Sequence, residues 1–200
     1  MSIARLREFV SELTDIVRDG VPEASILAQM RAPMSRLLAN DDWLPDAFAS
    51  PHPAHYQQYL LHCDPKQRFS VVSFVWGPGQ KTPIHDHTVW GMIGMLRGSE
   101  ESTRFETDGN GKPMRIGETT VLAAGDIDCV SPARGDVHRV RNVHDDRVSI
   151  SIHVYGANIG RVQRHVFDPA TGDVKDFVSG FSSDVVPNLW ALGNDNEAAG

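Results

Sequence analysis

Two histidines stand one residue apart in Pro83-Ile84-His85-Asp86-His87. In an extended chain side chains alternate between faces, so His85 and His87 project together and Asp86 points the other way. Two imidazoles on one rigid face are half of a metal site, and neutral imidazole suits iron, zinc, copper and nickel. The pair alone is equally a pair of hydrogen-bonded surface histidines. A third histidine shifts the balance. In Ser131-Pro132-Ala133-Arg134-Gly135-Asp136-Val137-His138, proline and glycine turn the chain and His138 then enters a new strand. One pair and one histidine from a distant antiparallel strand would close a three-sided site. Further on, Ser151, His153 and Tyr155 alternate with Ile150, Ile152 and Val154. The polar three share one strand face, and without other context they read as a satisfied polar stripe inside a barrel.

These residues need a frame that brings distant strands together. Ile3, Leu6, Phe9, Val10, Leu13, Ile16 and Val17 recur at helical steps and predict a first helix, ended by Gly20 and followed by Pro22. A second helix is predicted around Ile26, Leu27 and Met30, and a short third around Met34, Leu37 and Leu38. From about residue 55 the pattern changes. Residues 69–76 are rich in β-branched and aromatic side chains and end at Gly77-Pro78-Gly79. Further strands are predicted at 91–96, 101–107, 119–122, 137–143, 148–155 and 162–167, separated by turns at 108–111, 124–126, 132–135 and 168–173. Many short strands at regular spacing predict a sandwich or barrel. The expected division is a helical segment over 1–45, a barrel over 46–185 and a tail over 186–200, one domain overall.

Composition narrows the class. The chain has 200 residues, 40% hydrophobic and 22% charged, with a formal charge of −7. It carries no basic run, so neither nucleic acid nor an anionic membrane is an expected partner. No apolar stretch approaches the roughly 20 residues of a membrane span. Two cysteines, Cys63 and Cys129, exclude a disulfide framework. Met1-Ser2-Ile3-Ala4-Arg5 lacks an apolar signal core, so a cytoplasmic location is expected.

The histidine motifs, the second running Pro132-x-x-Gly135-x-x-His138-x-x-x-Asn142, resemble the paired motifs of cupins. A closer resemblance is to the cysteine dioxygenase family of thiol dioxygenases. It is carried by Trp76-Gly77-Pro78-Gly79, His85-Asp86-His87-Thr88, Leu96-Arg97-Gly98, Gly135-Asp136-Val137-His138-Arg139-Val140 and Ser151-Ile152-His153-Val154-Tyr155-Gly156. This resemblance implies a mainly β fold, a single jelly-roll cupin barrel with N-terminal α-helices packed on it. It implies Fe(2+) held by His85, His87 and His138 with no carboxylate. The usual cupin glutamate is absent, and Gly91 falls about where it would stand. Three neutral ligands would leave the iron its full charge and open positions for a thiolate and O2. The resemblance also implies that Ser151, His153 and Tyr155 form a hydrogen-bond relay with the phenol near the substrate. Animal members couple a cysteine covalently to this tyrosine. Gly91 is the matching position, so no cross-link is expected, and Cys129 is expected to be buried and inert.

Members acting on cysteine place an arginine before the first core strand. Residues 55–61 hold none, and Gln58 takes the place. This resembles a bacterial glutamine-type branch that favours 3-mercaptopropionate and binds its carboxylate with an arginine after the tyrosine strand. Arg164 is the best match and Arg161 the fallback. The expectation is an iron-dependent dioxygenase acting on a small thiol and O2, as a monomer or small homo-oligomer. Cysteine and mercaptosuccinate stand as alternative substrates. A zinc or other-metal cupin isomerase and a non-catalytic ligand-binding cupin stand as alternative functions.

Overall fold

The computed structural model describes residues 3–108, 112–183 and 185–186. Helix α1 (Ala4–Ile16) buries Leu6, Phe9 and Leu13, and α2 (Glu23–Leu38) buries Ile26, Leu27, Met30, Met34, Leu37 and Leu38. Both faces enter one hydrophobic core. Gly20 turns the chain between them at φ +79°, a conformation glycine adopts without penalty. The two helices expected around Met30 and Leu37 are a single helix that runs through Pro33. Proline there removes one backbone donor. The apolar stripe keeps its helical step on both sides of Pro33, and burial of that continuous face outweighs the lost bond.

Eleven strands follow among the described residues: β1 (Gln57–Cys63), β2 (Ser70–Trp76), β3 (Ile84–His85), β4 (Gly91–Arg97), β5 (Ser99–Thr107), β6 (Pro113–Ala123), β7 (Ile127–Val130), β8 (His138–Asn142), β9 (Ser149–Tyr155), β10 (Arg164–Phe167) and β11 (Val174–Phe177). They form two sheets, in the orders β1-β2-β9-β4-β7 and β11-β10-β3-β8-β5-β6. This is the mainly β, two-sheet architecture of a cupin, with two helices at its N-terminal end. Strands β1 and β11 were not expected from the sequence, and β6 is longer than expected. Of the turn at 108–111, residues 109–111 lie outside the described residues, as do 187–200 of the expected tail.

The first sheet is buried on both faces. Along β9, Ile150, Ile152 and Val154 join the helical core, while Ser151, His153 and Tyr155 face the second sheet. Along β2, Val71 and Val75 join the helices, and Val72, Phe74 and Trp76 face inward. Gly94 on β4 lets α2 approach the sheet. A Cβ there would lie 2.7 Å from Leu38 Cδ1 and 2.9 Å from Met34 Sδ. The helices therefore hold the back of the sheet whose front carries the Ser-x-His-x-Tyr stripe.

Candidate metal centre and its cavity

His85 and His138 face each other as register partners of β3 and β8. Strand β3 lasts only two residues, so His87 is not aimed by a ladder. Asp136 aims it instead. One carboxylate oxygen accepts from the His87 and Thr88 backbone N–H groups at 2.9 and 2.8 Å, and the other meets His87 Nδ1 at 2.9 Å. These bonds hold Thr88 at φ +58°, which a β-branched residue rarely adopts. The three rings then sit at mutual centroid distances of 4.9 Å. One ligand atom from each lies within 4.8 Å of the other two.

Every Nδ1 has a partner outside the centre: Pro83 O for His85 at 3.1 Å, Asp136 for His87, and Ser102 Oγ for His138 at 3.1 Å. Carbonyl and carboxylate oxygens accept only, so His85 and His87 donate from Nδ1, which leaves Nε2 as the nitrogen for the centre. Burial, with His87 adding to it, pushes His85 down to about 3. Burial also holds His138 well below its usual range. Both are neutral, as ligation requires. Burial works to raise Asp136, but the His87 side chain and the two backbone donors outweigh it and keep the carboxyl ionised. Three imidazoles with their outer nitrogens already bonded fit iron, zinc, copper or nickel.

The relay stripe lies on the facing sheet. Ser151 Oγ is 2.8 Å from His153 Nε2, and His153 Nδ1 is 2.8 Å from Tyr155 Oη. Phe74 stacks on His153 at 4.1 Å, and the Tyr155 ring stacks on His87 at 5.4 Å. The phenol is thus set beside a candidate ligand. Burial raises the Tyr155 hydroxyl well above its usual value, so it stays protonated. Gly91 is the register partner of Tyr155. A Cβ at Gly91 would lie 3.0 and 3.1 Å from the Tyr155 ring carbons Cδ1 and Cε1. The position expected for a cross-linking cysteine therefore does abut this ring, and glycine fills it.

The cavity between the sheets measures about 250 Å³. Tyr56, Phe74 and Trp76 stack along one wall, and the three histidines, Tyr155 and Arg164 are also in the lining. Arg164 is 3% exposed, yet its Nε has no hydrogen-bond partner among the described residues. Its NH2 group donates to Ser179 Oγ at 2.5 Å, and the guanidinium lies 4.6 Å over the Phe177 ring. Gln58 also lines the cavity, but its amide donates to Ser179 Oγ at 2.9 Å and to Gly180 O at 3.0 Å. Gln58 and Arg164 thus meet on Ser179. Arg161 sits in the turn Ile159–Arg161, reaches Gln67 at 3.4 Å, and is not among the cavity-lining residues. Asp86 turns away and holds His165 through its backbone N–H at 2.7 Å and its Nδ1 at 2.6 Å. Cys129 is half-buried rather than buried, and burial raises its thiol.

Sequence reasoning missed four residues here. Asp136 lay inside a quoted motif, and its place two residues before His138 was the available signal. Ser102, Ser179 and Glu100 had none, because strand pairing and a long return of the chain bring them in. Glu100 is the least foreseeable: it accepts from Ser151 Oγ at 3.0 Å, from the opposite sheet.

Fold and centre together define a cupin barrel with a three-histidine cluster. The chain belongs to the family described as cysteine dioxygenase type I, whose model matches residues 2–168. Cysteine dioxygenase type 1 of Bos taurus is 27% identical over 118 residues, 58% of this chain and 58% of that one. The Homo sapiens enzyme is 29% identical over 107 residues, 52% of each. The matches thus span little more than half the length of these relatives. A Klebsiella pneumoniae protein with a double-stranded β-helix domain superposes with a TM-score of 0.45 at 19% identity, over 68% of this chain and 96% of that one.

Proposed function

We propose that this chain is an iron(II)-dependent thiol dioxygenase of the cytoplasm. Its substrate is 3-mercaptopropionate, which O2 converts to the sulfinic acid. One observation carries the reading: a single cavity unites three imidazoles, a protonated phenol and a buried guanidinium whose Nε lacks a partner among the described residues. His85, His87 and His138 would hold the metal. When bound, iron(II) supplies Lewis acidity toward a thiol sulfur and the electrons that activate dioxygen.

The chain's own residues do the rest. Arg164 binds the substrate carboxylate through its planar fork, which completes the hydrogen bonding of Nε. Gln58 acts through Ser179, fixing the segment against which Arg164 rests. Tyr155 donates a hydrogen bond at the sulfur end of the cavity, and Ser151 and His153 orient it. The aromatic wall keeps water out. Among the described residues, no Asp or Glu lines the cavity. Among these residues the ammonium group of cysteine would therefore meet a cation and find no anion, and the second carboxylate of mercaptosuccinate would find no second arginine. Both arguments favour a thiol with one charge.

The test is oxygen uptake and product mass for iron-loaded protein with 3-mercaptopropionate, cysteine and mercaptosuccinate. The expected kcat/KM for 3-mercaptopropionate exceeds that for cysteine by roughly 10-fold or more, the worth of about 1.4 kcal/mol. No uptake with any thiol overturns the reading. Full zinc occupancy after purification without added metal, again with no thiol turnover, favours a zinc cupin instead.

A further inference from the structure

Glu100, Ser151, His153 and Tyr155 form one hydrogen-bonded line across the barrel, with contacts of 3.0, 2.8 and 2.8 Å. Donor counting allows this line two directions. Trp76 Nε1–H can only donate, and it occupies one lone pair of Ser151 Oγ at 3.1 Å. One lone pair and one proton of Ser151 remain, to be divided between Glu100 and His153 Nε2. Burial holds His153 neutral, so it carries a proton on only one nitrogen.

Suppose Glu100 is a neutral acid that donates to Ser151. Ser151 then donates to His153 Nε2, and His153 donates from Nδ1 to the Tyr155 oxygen. The Tyr155 proton is left to point into the cavity. Suppose instead that Glu100 is a carboxylate. It accepts the Ser151 proton, His153 Nε2–H donates to Ser151, and the bare Nδ1 takes the Tyr155 proton. The phenol then offers the cavity only lone pairs. The two directions differ by one proton and by the tautomer of His153.

We propose that Glu100 is a positioning residue for the thiol oxygenation, setting through Ser151 and His153 whether Tyr155 donates or accepts in the cavity. This rests on the dioxygenase reading, with the donating direction the active one. The surroundings of Glu100 support it. The residue is 1% exposed, and burial pushes its carboxyl up to about 7, against the lowering effect of the Ser151 bond. Asp128 on β7 adds to the rise from the side, while Arg104 pairs with Asp128 at 2.8 Å. Tyr155 on β9 feels the Glu100 charge in turn, and the neutral Asn142 is the Glu100 register partner on β8.

Full-length protein loaded with zinc as a diamagnetic stand-in gives a readout independent of turnover. Infrared titration follows the protonated carboxyl band, assigned by its loss in E100Q, and heteronuclear NMR of histidine-labelled protein follows the His153 tautomer. The expected result is that His153 moves its proton from Nδ1 to Nε2 over the same pH range in which the Glu100 band disappears, and that this exchange is absent in E100Q. A tautomer that ignores Glu100 ionisation, or that still switches in E100Q, overturns the proposal. In the iron-loaded enzyme, kcat is expected to fall by roughly 100-fold on the alkaline side of that midpoint. E100Q should lose this limb, and a limb that persists overturns the proposal. If E100Q does not fold, S151A serves: it cuts Glu100 from His153 and must abolish the coupled switch. Absence of turnover with every thiol would remove the dioxygenase reading while the tautomer measurement still decides the relay.

Discussion

Arg164 and Asp136 are both buried charges, and they meet burial differently. Asp136 has three donors from His87 and Thr88. Arg164 has Ser179 and an aromatic face, and its buried Nε has no partner among the described residues. The first is complete as it stands, and the second asks for an anion. Arg164→Gln is expected to raise KM for 3-mercaptopropionate by roughly 10- to 100-fold, the worth of a hydrogen bond to a charged group, with a smaller effect on kcat. Steady-state kinetics separate the two. Asp136→Asn keeps the shape of the aiming contact and removes its charge. It is expected to weaken metal binding by roughly 10- to 100-fold in a competition titration against a chelator. Tyr155→Phe removes the cavity donor and is expected to lower kcat by about 100-fold while metal content stays the same.

At the scale of elements, the helices back the sheet that carries the relay, and none of their described residues lines the cavity. Gly94→Val would press a side chain into Leu38 and Met34, where a Cβ alone already comes within 2.7 Å. The expected cost is about 1–3 kcal/mol, read as a lowered Tm. The three histidines were legible in the sequence because two of them share a local alternation and the third follows a turn signal. The Ser151, His153 and Tyr155 stripe was legible because polar and aliphatic residues alternate strictly along β9. Glu100 was not, since Ser99-Glu100-Glu101-Ser102 is polar throughout and no alternation marks which glutamate faces inward. The continuity of α2 was hidden by Pro33, a local signal that tertiary burial overrides. Strand β11 was hidden because Val174–Phe177 is mostly exposed at the sheet edge and lacks an inward apolar pattern. The reach of Arg164 to Ser179 was hidden with it, because that contact exists only once the chain has returned past β11.

At the scale of the molecule, one ion pair ties the helical and β parts together. Arg68 donates to both oxygens of Asp64 at 2.7 and 2.9 Å and to the Val17 carbonyl at the end of α1 at 2.7 Å. The Arg68 hydrogen bond holds the Asp64 carboxyl down to about 2, against the effect of burial. Its folded pKa lies below the unfolded value of about 3.9, so its contribution is full above pH 4 or so and is lost as pH falls toward 2. Asp64→Asn is expected to lower stability by about 2 kcal/mol at neutral pH. Thermal melts of the two proteins should converge as the pH approaches that of the folded carboxyl.

The part of the cavity that Arg164 lines lies near a sheet margin. Arg164 is on β10, next to the outermost strand β11, and Ser179 lies on the stretch that follows it. The phenol relay hangs from the middle of the other sheet, between β2 and β4. A margin can be lengthened, shortened or exchanged with little disturbance to a sheet interior, so under the proposed function thiol choice and the phenol relay would sit on separately heritable pieces of chain. On that reading, divergence toward new thiols would accumulate at Arg164 and in residues 174–182, while Val166 keeps its pairing with His85, and grafting residues 174–182 between relatives would re-address the cavity while leaving the metal centre in place.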